Sequence, residues 1–235
     1  SAPMTDVALW RRDLAWTLSA LAVVLAWDAS GLDLPVATLS GGAAGFAWRD
    51  TAFLVQVMHE GGRFLSWAGL GVLLVALVRP FGVLRKVGRA GRIQFVLSVV
   101  LSVIAVSLVK HGSATSCPWD LAQFGGVASH VSHWAWGVRD GGPGRCFPGG
   151  HASAGFAWLG GYFVMRGVAP LVARRWLAFT LLAGLALGIS QQLRGAHFTS
   201  HTLWTAWLCW SVAAALDVVF KAVQARRGLR LSPSA

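Results

Sequence analysis

The run IQFVLSVVLSVIAVSLVK, Ile93 to Lys110, decides the fold class. No charge interrupts it between Arg92 and Lys110, which stand 18 positions apart. At about 1.5 Å per residue a helix of that length comes close to crossing a hydrocarbon layer roughly 30 Å thick. The run is entered from a segment carrying Arg85, Lys86, Arg89 and Arg92. A basic cluster at one end of an apolar run is a membrane topology signal.

Five further apolar runs lie outward from it: Leu14 to Trp27, Phe64 to Val78, Ala152 to Met165, Trp176 to Ile189 and Leu203 to Phe220. Several are short enough to be buried helices of a water-soluble protein. The composition decides against that. The chain is 55% hydrophobic and only 12% charged, with 13 tryptophans, where soluble domains carry about 25% charged residues. Its mean hydropathy is +0.59. The expected fold is all-α, a polytopic membrane protein with six transmembrane helices and a long loop between the third and fourth. One domain is expected over residues 4–235, with residues 1–3 read as an addition upstream of Met4. The first apolar run lacks a small-residue cleavage site and is read as a retained helix. The mixed-polarity stretch Trp48 to His59 is read as a short interfacial helix within an outer linker.

The net charge of +11 does not indicate a nucleic-acid partner, because the basic residues sit in short clusters between apolar runs. Arg11 and Arg12, the cluster from Arg79 to Arg92, the group Arg166, Arg174 and Arg175, and the tail with Lys221, Arg226, Arg227 and Arg230 fall on one side of a six-span arrangement. That side is expected to be cytoplasmic, with both termini. The opposite side holds Asp28 to Arg63, the loop from Lys110 to His151, and the stretch Arg194-Gly-Ala-His-Phe-Thr-Ser-His201. Lys110, His151, Arg194, His197 and His201 are therefore expected at one depth. Ionisable groups held at the edge of a hydrocarbon slab mark function more often than structure.

Cys209 lies mid-span and reads as a small buried hydrophobe. Cys117 and Cys146 share the outer loop and are predicted to form a disulfide. That cross-link would tie the segment after Lys110 to the segment before His151, worth on the order of 3 kcal/mol in the chain-entropy model. Basic groups with several histidines, and no Ser–Asp pair nearby, suit an oxyanion substrate. Phosphoryl transfer needs charge neutralisation, a nucleophile and an acid for the leaving group, and histidine can fill either of the last two roles. Pro148-Gly149-Gly150-His151 adds a Gly-rich turn before a helix, where backbone N–H groups favour an anion.

In these residues the chain resembles the type-2 phosphatidic acid phosphatase superfamily of membrane lipid phosphatases. The family pattern is K-x6-R-P, then P-S-G-H, then S-R-x5-H-x3-D. Here Lys110 is followed after six residues by Cys117-Pro118, with cysteine for arginine. Pro148-Gly149-Gly150-His151 has glycine for serine. Ser190-Gln191, five residues, His197, three residues, His201 has glutamine for arginine and histidine for aspartate. The resemblance implies that His197 is a nucleophile forming a phosphohistidine, that His151 is the general acid, and that His201 orients His197. It implies that Lys110, Gly149 and Gly150 hold phosphate, without metal or other cofactor. Arg194, three residues after Gln191, is read as the substitute for the missing third-motif arginine. Arg145, or less directly Arg139, is read as the substitute for the first, and Ser153 for the missing hydroxyl. His111, His130 and His133 read as loop residues, and Trp204, Trp207 and Trp210 as packing and interfacial anchors. The implied activity is removal of phosphate from a phosphorylated lipid at the periplasmic face of a bacterial inner membrane. Lipid A, undecaprenyl pyrophosphate and phosphatidylglycerol phosphate are the candidate substrates, with the lipid A branch preferred. The alternatives are a lipid phosphotransferase of the same family and an inactive relative that binds or transports phospholipid.

Overall fold

The computed structural model describes residues 6–231. Residues 1–3 and the side chains of Arg227 and Arg230 lie outside the described residues. In chain order come α1 (Asp6–Ser30), the short α2 (Asp33–Ala37) and two antiparallel two-residue strands, β1 (Gly41–Gly42) and β2 (Gly45–Phe46). A π-helical segment, Phe53–Gly61, then runs directly into α3 (Gly62–Val78). After α4 (Arg89–Gly112) a long loop leads to residues 150–165, where 3-10 turns alternate with α5 (Ser153–Phe156) and α6 (Gly160–Met165). The chain closes with α7 (Pro170–Leu193) and α8 (Thr199–Leu231).

A helical segment covers each of the six expected spans, but among the described residues only four segments are long and apolar enough to cross a bilayer: Phe53–Arg85, Arg89–Gly112, Pro170–Leu193 and Thr199–Arg226. They mark the chain as a membrane protein. The other two fall short for local reasons. α1 carries Arg11, Arg12 and Asp13 on one side of its apolar run and Asp28 on the other, and the run between them is shorter than a hydrocarbon core requires. Residues 150–165 are broken into short turns. The stretch Asp28 to Arg63, expected as a linker with a short interfacial helix over Trp48 to His59, holds α2, the two short strands and a helix that starts at Phe53 and is continuous with α3. The reason is that Phe53, Leu54, Val55 and Val57 keep the segment apolar up to His59, so nothing ends the helix before α3 begins.

Phe64, Leu65 and Trp67 on α3 and Phe179 and Leu182 on α7 are all more than 60% exposed. Large apolar side chains presented on helix flanks of this length suit hydrocarbon, not water. Inside, α4 lies against α8 and turns Phe95, Ser98, Val99, Ser102 and Val106 inward. The broken helix meets α7 at very close range. A Cβ on Gly155 would stand 2.3 Å from the Gly184 nitrogen, so the two backbones approach as only small residues permit. Indole N–H groups find acceptors across α1 and α8: Trp207 donates to the Thr17 carbonyl at 3.0 Å and Trp210 to its hydroxyl at 2.9 Å.

One end of the bundle is tied by ions. Arg166 donates to Asp13 on α1 at 2.7 Å and to Asp217 on α8 at 2.6 Å. Lys221 lies 3.0 Å from the same Asp217 carboxylate, and Gln94 of α4 donates to it at 3.1 Å. Lys110, His151, His197 and His201 lie at the opposite helix ends. The loop between α4 and residue 150 is pinned by a disulfide joining Cys117 and Cys146, with Cα atoms 5.2 Å apart. Asp140 is buried in that loop and accepts from the Ser116 backbone and hydroxyl, both at 2.7 Å. Burial alone would raise its pKa, but the hydrogen bonds from Ser116 and Gly142 outweigh it and hold the carboxyl below its ordinary value.

Candidate active site

Helix ends and tight turns deliver each side chain. Lys110 lies in the last turn of α4. Residues 147–150 follow the disulfide, and the Gly149 amide donates to the His201 carbonyl at 3.0 Å. His151 lies in the 3-10 turn Gly150–Ala152. Arg194 follows α7, and the chain then reverses through Gly195 to His197 and the start of α8. Gly195 has φ +76°, and a Cβ there would lie 2.3 Å from the Phe46 ring, so both backbone and space demand glycine. The start of α8 is held from the N-terminal segment. Asp33 accepts from the Ser200 amide at 2.9 Å and from its hydroxyl, while Asp28 accepts from the Trp204 indole at 2.9 Å and His133 at 3.1 Å. These clamps fix the turn that carries His201.

His197 is buried at the wall of a cleft of ≈ 810 Å³, also lined by Lys110, Gly150, His151, Gln191 and Arg194. Its Nδ1 faces inward, 3.4 Å from His201 Nδ1 and 3.4 Å from the bridged Cys146 sulfur. Those are long hydrogen-bond distances, but they fix the ring with Nε2 as the remaining nitrogen. Burial, reinforced by the charge on Lys110, pushes the His197 pKa down to about 3. The ring is therefore neutral at physiological pH.

Lys110 reaches the Gly-rich turn: its Nζ lies 3.4 Å from where a Cβ at Gly150 would be. At Gly149 a Cβ would lie 3.3 Å from the His201 carbonyl and 3.6 Å from His197 Cδ2. The position that the motif fills with serine is thus directly beside His197. Arg194 donates to the Arg49 carbonyl at 2.7 Å and to Gln191 at 3.2 Å. The glutamine at the motif position and the arginine one turn later therefore act on the same corner of the cleft. His151 Nε2 lies 3.0 Å from the Met58 carbonyl. Burial lowers the His151 pKa, the Met58 bond opposes this, and the nearby His59 and Arg194 add to the lowering.

The sequence expectations divide. Lys110, Gly150, His151, Arg194 and His197 converge on the cleft; Gly149 and His201 stand directly behind it; Ser153 is on its wall. Arg145 and Arg139 do not converge. Both are exposed, and Arg145, at φ 56° with its amide bonded to the Ser113 carbonyl at 2.9 Å, lies outside the cleft lining. Two residues of the π-helical segment and α3, His59 and Arg63, line the cleft instead. The signal for them was available as a histidine, a glutamate and an arginine within five residues at the mouth of an apolar run. Among the described residues, Cys146, His197 and His201 bring one potential metal-ligand atom each within 4.8 Å of one another. The disulfide takes the Cys146 sulfur, so this trio lacks the thiolate that such a site would need.

The cleft continues from this basic mouth along Leu70 of α3 and Val99, Val103 and Ile104 of α4, an apolar wall. No curated protein and no solved structure gives a significant match to the chain. A family model does: that of the PAP2 superfamily matches residues 92–226, from the start of α4 through the last described side chain of α8. That match spans more than half of the chain and contains all three motif segments, and the chain belongs to the PAP2 superfamily, the type-2 phosphatidic acid phosphatases.

Proposed function

We propose that the protein is a membrane phosphatase that removes phosphate from a phosphorylated lipid through a phosphohistidine on His197. Family membership supports a phosphatase or phosphotransferase acting on lipid-like substrates. The observation that carries the finer reading is one cleft joining a neutral, buried His197 and two cationic side chains, Lys110 and Arg194, to an apolar wall between α3 and α4. The anion sits against the cations and the Gly149–Gly150 backbone, and the chains lie along the helices. His197 Nε2 attacks phosphorus while Nδ1 is held toward His201. The cations neutralise the charge that spreads over the equatorial oxygens. His151 serves as the acid for the leaving group, as its motif position implies.

The cluster of Arg79, Arg85, Lys86, Arg89 and Arg92 lies at the helix ends opposite the cleft, which by the positive-inside rule supports reading the cleft as periplasmic and the termini as cytoplasmic. Lys110, Arg194 and Arg63 supply positive charge themselves, so the reaction is proposed to run without metal. The test is phosphate release by purified protein in detergent, using lipid A, undecaprenyl pyrophosphate and phosphatidylglycerol phosphate in parallel, with EDTA present. At least one substrate is expected to turn over in EDTA, and His197→Ala to abolish that turnover while lipid binding persists. Release that requires added metal, or that survives His197→Ala, contradicts the proposal.

A further inference from the structure

The motif residues do not account for His59 and Glu60. His59 lies in the π-helical segment Phe53–Gly61, on the cleft wall, with its ring stacked on His151 at 4.4 Å between centroids and 23° between planes. Its Nδ1 is 3.0 Å from the Glu60 carboxylate, and Arg63 lies 3.5 Å from the other oxygen of that carboxylate. π-Helical turns are rare and often mark functional sites. Gly62 gives His151 its place: a Cβ there would come within 3.5 Å of His151 Nε2 and 2.7 Å of Leu187.

The hydrogen bonds assign the protons. A carbonyl only accepts, so His151 Nε2 carries a hydrogen and directs it at Met58. A carboxylate only accepts, so His59 Nδ1 carries a hydrogen toward Glu60. That leaves His59 Nε2 and His151 Nδ1 as the exchangeable positions. Two imidazolium rings stacked at this distance, with Lys110, Arg63 and Arg194 also lining the cleft, repel too strongly for both to be charged. Of the two rings, His59 is the one hydrogen-bonded to a carboxylate.

Resting on the phosphohistidine reading above, we propose that His59, oriented by Glu60, is a further acid–base residue of this site, forming with His151 a single acid that protonates the leaving oxygen. The His197 Nε2 lone pair forms the N–P bond as the bond from phosphorus to the leaving oxygen breaks. The electron pair stays on that oxygen, which takes the proton from His59 Nε2. His59, now neutral, takes a proton from the water that attacks phosphorus, and the N–P electron pair returns to His197.

The test varies the leaving group. An alkyl phosphate needs a proton on its leaving oxygen, whereas p-nitrophenyl phosphate expels a stable phenolate. His59→Gln is expected to lower kcat for the alkyl phosphate on the order of 100-fold, the scale of general acid catalysis, and for p-nitrophenyl phosphate by less than about threefold on the same scale. Glu60→Gln, at a half-exposed side chain, is expected to show the same selectivity at roughly a tenth of the size, and it keeps the test open should His59→Gln misfold. Equal losses on both substrates, or no loss on either, overturn the assignment of His59 while leaving the phosphatase reading intact. A wild-type protein that releases phosphate from neither substrate overturns both.

Discussion

The two ends of the helix bundle handle charge in opposite ways. At one end Arg166 is shared between Asp13 and Asp217, Lys221 adds to Asp217, and Gln94 completes the set. Cation meets carboxylate, and three helices are joined. At the other end Lys110 and Arg194 make no ion pair among the described residues. Arg194 is hydrogen-bonded to neutral oxygens of Arg49 and Gln191, with the Asp50 and Glu60 carboxylates acting on it only at longer range. Paired charge stabilises architecture, while positive charge with no direct carboxylate contact fits the proposed role of receiving an anion from outside. The same residue types therefore do different work according to what faces them.

Removing positive charge at the cleft gives the largest expected effect. Lys110→Ala and Arg194→Ala should each lower kcat/KM by about 100- to 1,000-fold, as loss of one oxyanion donor does, with thermal stability unchanged. A steady-state assay beside a melting curve checks this, and a loss of stability with activity per folded molecule preserved reverses the assignment. At the ion-paired end the pattern should invert. Arg166→Gln leaves Asp13 and Asp217 buried without their shared partner. Breaking a buried pair costs about 3–5 kcal/mol, and the low end applies because Arg12 and Lys221 still reach those carboxylates. Activity per folded molecule should persist.

The covalent tie in the cleft-side loop comes next. Replacing Cys117 and Cys146 together by serine should destabilise the protein by roughly 3 kcal/mol on the chain-entropy scale and loosen the turn before His151. Denaturation of the double variant measures this, and an unchanged midpoint contradicts it. A pH titration separates the ends further. An unfolded histidine takes up its proton near pH 6.5, whereas folded His197 does so only at about 3. Between these values the unfolded chain binds more protons, so stability is intact above about 6.5 and falls as the pH drops toward 3. His197→Gln should flatten that fall, and an equal pH slope in the variant argues against a buried neutral ring. The smallest effect is expected at Arg145→Ala, under about threefold in kcat/KM, the size of an ordinary surface change.

The helices were legible because apolarity is a local property: Ile93 to Val109 announces itself without knowledge of any neighbour. The placement of Arg194 was legible too, since three residues after Gln191 is nearly one turn and both reach the same corner. Arg145 was not. A disulfide brings Cα atoms together but does not set where the preceding residue points, and Arg145 sits in a left-handed turn with its side chain exposed. His59 was hidden for another reason. Its stretch reads as mixed polarity, and only the continuity of Phe53–Gly61 with α3 places its ring on His151. The histidine standing in for aspartate at position 201 makes physical sense only in three dimensions, because its proposed role depends on a buried contact to His197 and on clamps from Asp28 and Asp33.

In the proposed reaction phosphorus passes through His197. Purified protein mixed with a lipid phosphate labelled at phosphorus and quenched during turnover in alkali tests it directly, because phosphohistidine survives base and hydrolyses in acid. Acid-labile, base-stable label is expected on the peptide containing His197, absent from His197→Ala and increased in variants that slow attack by water. Turnover without any protein-bound label, or label on a different residue, would contradict it.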